Sequence, residues 1–269
     1  MNITYYKPDP LLQKYIYKYW AFESDPFTEL PIALPAVATE MIIHYRTPFN
    51  FCNKEKGIDK STGSNFIFGL RDFPYKLKTI GNTGFISIRF REGALSHFCS
   101  VPQNEIAGSF PTIRDLWGKK GVKFENDIQN AQTNPGRAKV IDSYLLNFFT
   151  QYSGNDKWLE YSVDNVCKGA NLNSISQKLN ISYRHFNRKF TYHIGVNPKT
   201  FQKISVFDSV LRNLMISKST DYLNFALDAG YFDQSHFIKD FKKFVNKIPS
   251  SYLTSKNFMS HFYNTKDLI

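Results

Sequence analysis

The chain has 269 residues, 42% of them hydrophobic and 16% aromatic, enough apolar material for two domains with a core each and too much for a disordered chain. It carries 34 Lys and Arg against 23 Asp and Glu, a net charge of +11, and from Glu160 onward 15 basic residues face only 8 acidic ones. No apolar run approaches the roughly 18 residues of a membrane span, and the opening MNITYYKPDP lacks the charged start and apolar stretch of a signal peptide.

Up to about residue 110 the pattern is one of strands. EMIIHYR (40–46), NFIFGL (65–70), PYKLKTI (74–80) and GFISIRFR (84–91) are short, β-branched and aromatic, and are punctuated by Pro, Gly and Asn. GFISIRFR alternates, with Phe85, Ile88 and Phe90 apolar and Arg89 and Arg91 charged. Gly63, Gly69, Gly81 and Gly84 read as turns. Several short strands at this spacing predict a sandwich or small barrel. Helices follow. After the start signal Thr133-Asn134-Pro135, a stripe of Val140, Ile141, Tyr144, Leu145, Phe148 and Phe149 recurs at helical spacing. So wide a stripe must be covered, either by its own domain or by a second copy in a homodimer. Tyr152-Ser153-Gly154-Asn155-Asp156 reads as a linker, dividing the chain into 1–152 and 157–269, the latter helical.

The C-terminal third contains a repeat. Phe186, Phe190, Gly195, Pro198 and Phe201 recur as Phe237, Phe241, Asn246, Pro249 and Tyr252, each pair 51 positions apart. Upstream, Ile175 and Ile181 match Phe225 and Tyr231 at an offset of 50, so the second copy has one extra residue in its turn. This is an internal duplication. Each copy reads as helix, tight turn, helix. Gly230 supplies the left-handed turn conformation in the second copy and Asn180 in the first. Ser182 and Asp233 are N-caps of the restarted helices, and Phe186/Phe190 and Phe237/Phe241 are i, i+4 pairs that pin them into a core.

Two helical hairpins with polar faces also occur as plain scaffold, so the chemistry of the exposed face decides between scaffold and reader. Opposite the first Phe pair fall Arg184, Asn187 and Arg188. Opposite the second fall Gln234, Ser235, His236 and Lys239, with Lys242 and Lys243 a turn further on. Arg pairs bidentately with guanine, and Asn or Gln with adenine, at the edges of the major groove. Lys242 and Lys243 suit phosphates. Carboxylates are sparse: Asp233 is the cap and Asp240 is expected towards the flank.

AGYFDQSHFIKDFKKFVNKIPSSYL closely resembles the signature of the AraC/XylS family of bacterial transcription regulators, and NSISQKLNISYRHFNRKFTYHIGVNPKTF resembles that family's first helix-turn-helix. The resemblance covers about residues 157–256. It implies an α+β chain whose C-terminal all-α domain has seven helices, with a long helix at about Pro198–Ser217 joining two helix-turn-helix motifs that enter successive major grooves. By motif position Arg184, Asn187 and Arg188 face bases in one groove, and Gln234, Ser235, His236, Ile238 and Lys239 in the next. Asn246 stands where the family usually has Gly, and Val206 where it often has Arg. The PDPLLQKYIYKYW opening and strand-rich middle are similar to an uncharacterised sensor-like domain, implying a cupin-like β-sandwich with helices. The implied partners are double-stranded DNA, RNA polymerase, a second copy of the chain and a small-molecule effector. The alternative is a nucleic-acid-binding or protein-docking module without ligand sensing.

Other chemistry has little support. His44 and His97 lack the clustered His and carboxylate ligands of a metal-binding cupin. Cys52, Cys99 and Cys167 are odd in number, with no Cys-x-x-Cys pair and no basic Pro-Cys setting, which argues against disulfides, zinc or a reactive thiol and points to a reducing cytoplasm. No Gly-x-Ser-x-Gly, Walker loop or Gly-x-Gly-x-x-Gly occurs, so neither an enzyme nor a cofactor is expected. The 25 Phe and 16 Tyr fall mostly at core spacing rather than as a platform for single strands.

Overall fold

A computed structural model of the protein describes residues 2–26, 32–53, 57–61, 65–152, 157–217 and 221–253. Gly63 and the expected linker at 153–156 lie outside the described residues.

Eight strands form two antiparallel sheets: β1 (Asn2–Tyr6), β2 (Ile16–Ser24), β3 (Glu40–His44), β4 (Phe49–Asn53), β5 (Ile58–Ser61), β6 (Phe66–Phe68), β7 (Lys76–Thr79) and β8 (Thr83–Phe90). The five-stranded sheet has the order β1-β2-β8-β3-β6 and the three-stranded sheet β5-β4-β7. Between them lies an aromatic core. Trp20, Phe22, Phe66, Phe68 and Phe85 come from the larger sheet and Phe49 and Phe51 from the smaller. Phe49 meets Phe85 at 5.3 Å, and Phe51 meets Phe110 at 4.1 Å. The two sheets thus make the expected sandwich.

The outer face of the five-stranded sheet is covered as well. Tyr19, Ala21, Met41, Ile43, Ile86, Ile88 and Phe90 pack under helices α2 (Ile113–Asn130) and α3 (Asn134–Tyr152). Ile141, Leu145 and Phe148 of the apolar stripe are buried there, with Val140, Tyr144 and Phe149 packed against the same core. Of the two expected partners for that stripe, the protein's own fold is the one that covers it.

This layering alters the reading of GFISIRFR. All eight residues of β8 are buried, so its alternation separates two cores rather than core from water. Arg89 is 1% exposed and donates to Glu40 Oε1 at 2.8 Å, while Ser87 donates to Glu40 Oε2 at 3.0 Å. Gly84, expected in a turn, lies inside β8 because Tyr45 and Arg46 cross its face. A Cβ there would come within 2.8 Å of both side chains.

From Lys157 on, the described residues form seven helices: α4 (Lys157–Cys167), α5 (Leu172–Lys178), α6 (Tyr183–Ile194), α7 (Pro198–Ser217), α8 (Tyr222–Asp228), α9 (Gln234–Val245) and α10 (Pro249–Tyr252). The long helix α7 is the spine of this part. Phe201 near its start meets Phe190 at 5.4 Å, and Phe207 meets Phe241 at 5.7 Å and Phe244 at 4.8 Å. Each half of the repeat is therefore anchored to a different stretch of one helix.

The strand-rich and helical parts touch where α6 ends. Helix α1 (Gln103–Ile106) packs on α6, and Leu34, Val37 and Leu70 join the core of the helical part. Lys14 bridges to Glu160 at 2.6 Å. Gly195 caps α6 at φ 101°, and a Cβ there would sit 2.9 Å from the Gln103 carbonyl oxygen. Gly195→Ala combines a left-handed alanine with a backbone clash. It should cost about 1–3 kcal/mol, read as a fall in the urea midpoint followed by circular dichroism. An unchanged midpoint would show that α6 and α1 are not held together.

Candidate nucleic-acid interface

The two copies of the repeat share one set of backbone bonds. Helix α5 starts at Asn171, whose Oδ1 accepts from Asn173 N at 2.9 Å, and α8 starts at Asp221, whose carboxylate accepts from Asn224 N at 3.5 Å. Both helices end in the same paired bonds. Ile181 N donates to Ser176 O and Asn180 N to Gln177 O; Tyr231 N donates to Ala226 O and Gly230 N to Leu227 O. This is a Schellman ending, which needs a left-handed residue at the turn. Asn180 at φ 53° and Gly230 at φ 94° provide it.

The second helices restart alike. Ser182 Oγ accepts from His185 N at 3.2 Å and Asp233 Oδ1 from His236 N at 2.7 Å. They also finish alike, with Gly195 N donating to Thr191 O and Asn246 N to Lys242 O. Asn246 at φ 58° takes the left-handed position as the next residue type able to hold it.

Phe186, Phe190, Phe237 and Phe241 are all 0% exposed. With those faces committed to the core, the opposite sides of α6 and α9 face water. Arg184 and Arg188 are exposed and Asn187 is half-buried. On α9, Gln234, Ser235, His236 and Lys239 are exposed, Ile238 is half-buried, and Lys242 and Lys243 are exposed. Gln234 also donates to the Tyr222 hydroxyl at 3.3 Å, and His236 lies 5.1 Å from the Tyr231 ring. Lys189 is on the flank, its ammonium 3.9 Å above the Trp158 ring, which ties α6 to α4.

One expectation needs correcting. Asp240 is not at the flank of the exposed face. It is 2% exposed, and its Oδ1 bonds Lys203 of α7 at 2.6 Å. Burial, with the Asp240 carboxylate beside it, raises the Tyr231 phenol well above its ordinary range. The negative charge of α9 is thus spent on fixing the helix to α7 rather than on repelling an anion. Lys203 and Asp240 are 37 positions apart on different helices, so no local spacing signals the pair.

Comparison with known families assigns both parts. Residues 175–255 match the helix-turn-helix domain model, and residues 4–110 match a domain of unknown function designated DUF6597. The first of these is an AraC-type domain, and it spans both motifs. Residues 175–255 are an AraC-type helix-turn-helix domain, the DNA-binding domain of a transcription regulator.

No curated protein matches the chain. Among solved structures it is similar to ToxT from Vibrio cholerae in a P21 crystal form, at 13% identity and TM-score 0.47 over 87% of this chain and 97% of the other. It is also similar to unsaturated fatty acid bound wild-type ToxT from Vibrio cholerae strain SCE256, at 12% identity and TM-score 0.46 over 87% and 93%. A likeness of that size assigns no role to any residue. The AraC family is one of transcription regulators rather than enzymes. Among the described residues, no helix is long and apolar enough to cross a membrane, and no three His, Cys, Asp or Glu are placed to hold a metal ion. His44 lies among Phe49, Phe66 and Phe85 between the sheets, and His97 meets the Tyr15 ring at 4.8 Å and a tilt of 55°. The three cysteines form no disulfide; two are buried and one is half-buried.

Proposed function

We propose that residues 157–269 read a specific operator through two adjacent major grooves and that residues 1–152 regulate the reading. Arg184, Asn187 and Arg188 face the bases of one groove, and Gln234, Ser235, His236, Ile238 and Lys239 those of the next, while Lys242 and Lys243 hold phosphates. One observation carries this reading. Two helices with the same pattern of cap bonds bury a Phe pair each and present polar, mainly basic faces on their other sides.

The test is fluorescence anisotropy on a duplex selected from a random pool by the full chain. Arg188→Ala and Lys239→Ala should each cost about 1–3 kcal/mol on that duplex with the fold intact. Lys242→Ala should weaken selected and random duplexes alike and lower the slope of log K against log salt by about 1. Wild-type affinity in both Arg188→Ala and Lys239→Ala would remove the face assignment.

Effector control is favoured by a cleft of about 350 Å³ between the two parts, lined on one side by Lys14, Tyr17, Arg91 and His97 and on the other by Leu159, Val163 and Cys167. The core between the sheets is filled by ring contacts, so the boundary offers better room. A small molecule seated there touches both parts and binds their two arrangements with different affinity, which is what a switch requires. A thermal-shift screen of metabolites, followed by operator titration with each hit, tests this. A hit that leaves operator affinity unchanged, or a screen with none, favours the module without ligand sensing. RNA polymerase and a second copy of the chain complete the proposed partners on family grounds, the latter checked by light scattering.

A further inference from the structure

The second motif is one residue longer than the first, and the extra residue can be identified. Asn180 and Gly230 hold the left-handed position, Ile181 and Tyr231 follow with the same backbone bond, and the caps are then Ser182 and Asp233. Between Tyr231 and Asp233 stands Phe232, which has no counterpart in the first copy. Its side chain is 88% exposed, more than any other large hydrophobic among the described residues.

A ring so exposed adds nothing to the protein's own core. Its position is specific. It directly precedes the cap of α9, at the end of the helix where Gln234, Ser235 and His236 are exposed, and Lys239, Lys242 and Lys243 continue the same water-facing side. The only acid at this end, Asp233, is engaged as the cap. In helix-turn-helix proteins the N-terminal residues of the second helix reach the base edges. The one apolar group a duplex presents in the major groove is the C5 methyl of thymine.

From this we infer that Phe232 is a specificity-determining residue that packs against a thymine methyl in the groove entered by the second motif. The inference rests on the proposed placement of α9 in a major groove. It gives the second motif an apolar contact that the first cannot make, so the two half-sites differ in their need for thymine.

The experiment uses the full chain and the duplex it selects from a random pool. Each thymine in turn is replaced by uracil, which removes only the methyl group. At one position the wild type should bind the uracil duplex roughly three- to tenfold more weakly, as expected for one buried methyl. Phe232→Ala should bind the two duplexes equally while keeping the wild-type thermal midpoint, and Phe232→Leu should retain part of the preference. Three results overturn the inference alone. One is a wild type indifferent to every uracil; another is a Phe232→Ala variant that still prefers thymine. The third is a variant with wild-type DNA affinity but lost transcription output, which would set the ring against polymerase instead. A wild type that selects no duplex overturns the proposed function itself and this inference with it.

Discussion

Phe237→Ala should destabilise the helical part by about 3–5 kcal/mol and abolish operator binding, because the ring is a fully buried keystone of the second motif. It lies 5.2 Å from Tyr231, 5.6 Å from Phe241, 5.8 Å from Tyr222 and 6.4 Å from Phe207, so one truncation opens a cavity shared by α7, α8, α9 and the turn between the last two. Aromatic rings in such contact cannot slide in to fill the space without disturbing the bonds that set the turn. The control is Phe232→Ala, five positions earlier, whose exposed ring should leave stability within about 0.5 kcal/mol. Urea unfolding of the two variants side by side is decisive. A loss below about 1 kcal/mol for Phe237→Ala would mean that the Phe pairs do not hold the motifs, and the exposed faces would lose their structural basis.

Glu40→Ala should have a comparable effect in the other half of the molecule, about 3–5 kcal/mol. Its carboxylate accepts from Arg89 on one oxygen and from Ser87 on the other, all three groups buried on the inner face of the five-stranded sheet. Removing the acceptor strips the Arg89 charge of its counterion in a site that water does not reach, and that desolvation cost dominates. Replacing Glu40 and Arg89 together by apolar residues of similar volume should recover much of the loss. The exposed pair Lys168–Asp164, at 2.7 Å and four residues apart on one helix, gives the contrast: Lys168→Ala should change stability by less than about 0.5 kcal/mol. Equal effects at the two sites would show that burial does not govern the Glu40 pair. The readout for all of these is the urea midpoint of the full chain.

The helix-turn-helix repeat was legible because its determinants are local. A left-handed Asn or Gly, a Ser or Asp cap three residues before the N–H it accepts, and two Phe four residues apart each leave a mark within one turn of helix. The exposed faces followed from the same period. The strands were less legible. β2 is buried at seven of its nine positions, and β4 at four of its five, so neither shows alternation between apolar and polar residues. Arg89 looks solvent-facing until β3 supplies Glu40 beside it.

The duplicated helix-turn-helix, its turns and the helix faces that point away from the core could thus be read from residue order, since these depend on contacts within a few residues. What covers each sheet face, the bond from Asp240 to Lys203, and the end of α6 against Gln103 and Gly93 emerge only in the folded chain. Those features join residues that are distant along the chain, and a charge or a glycine carries no mark of a partner so far away.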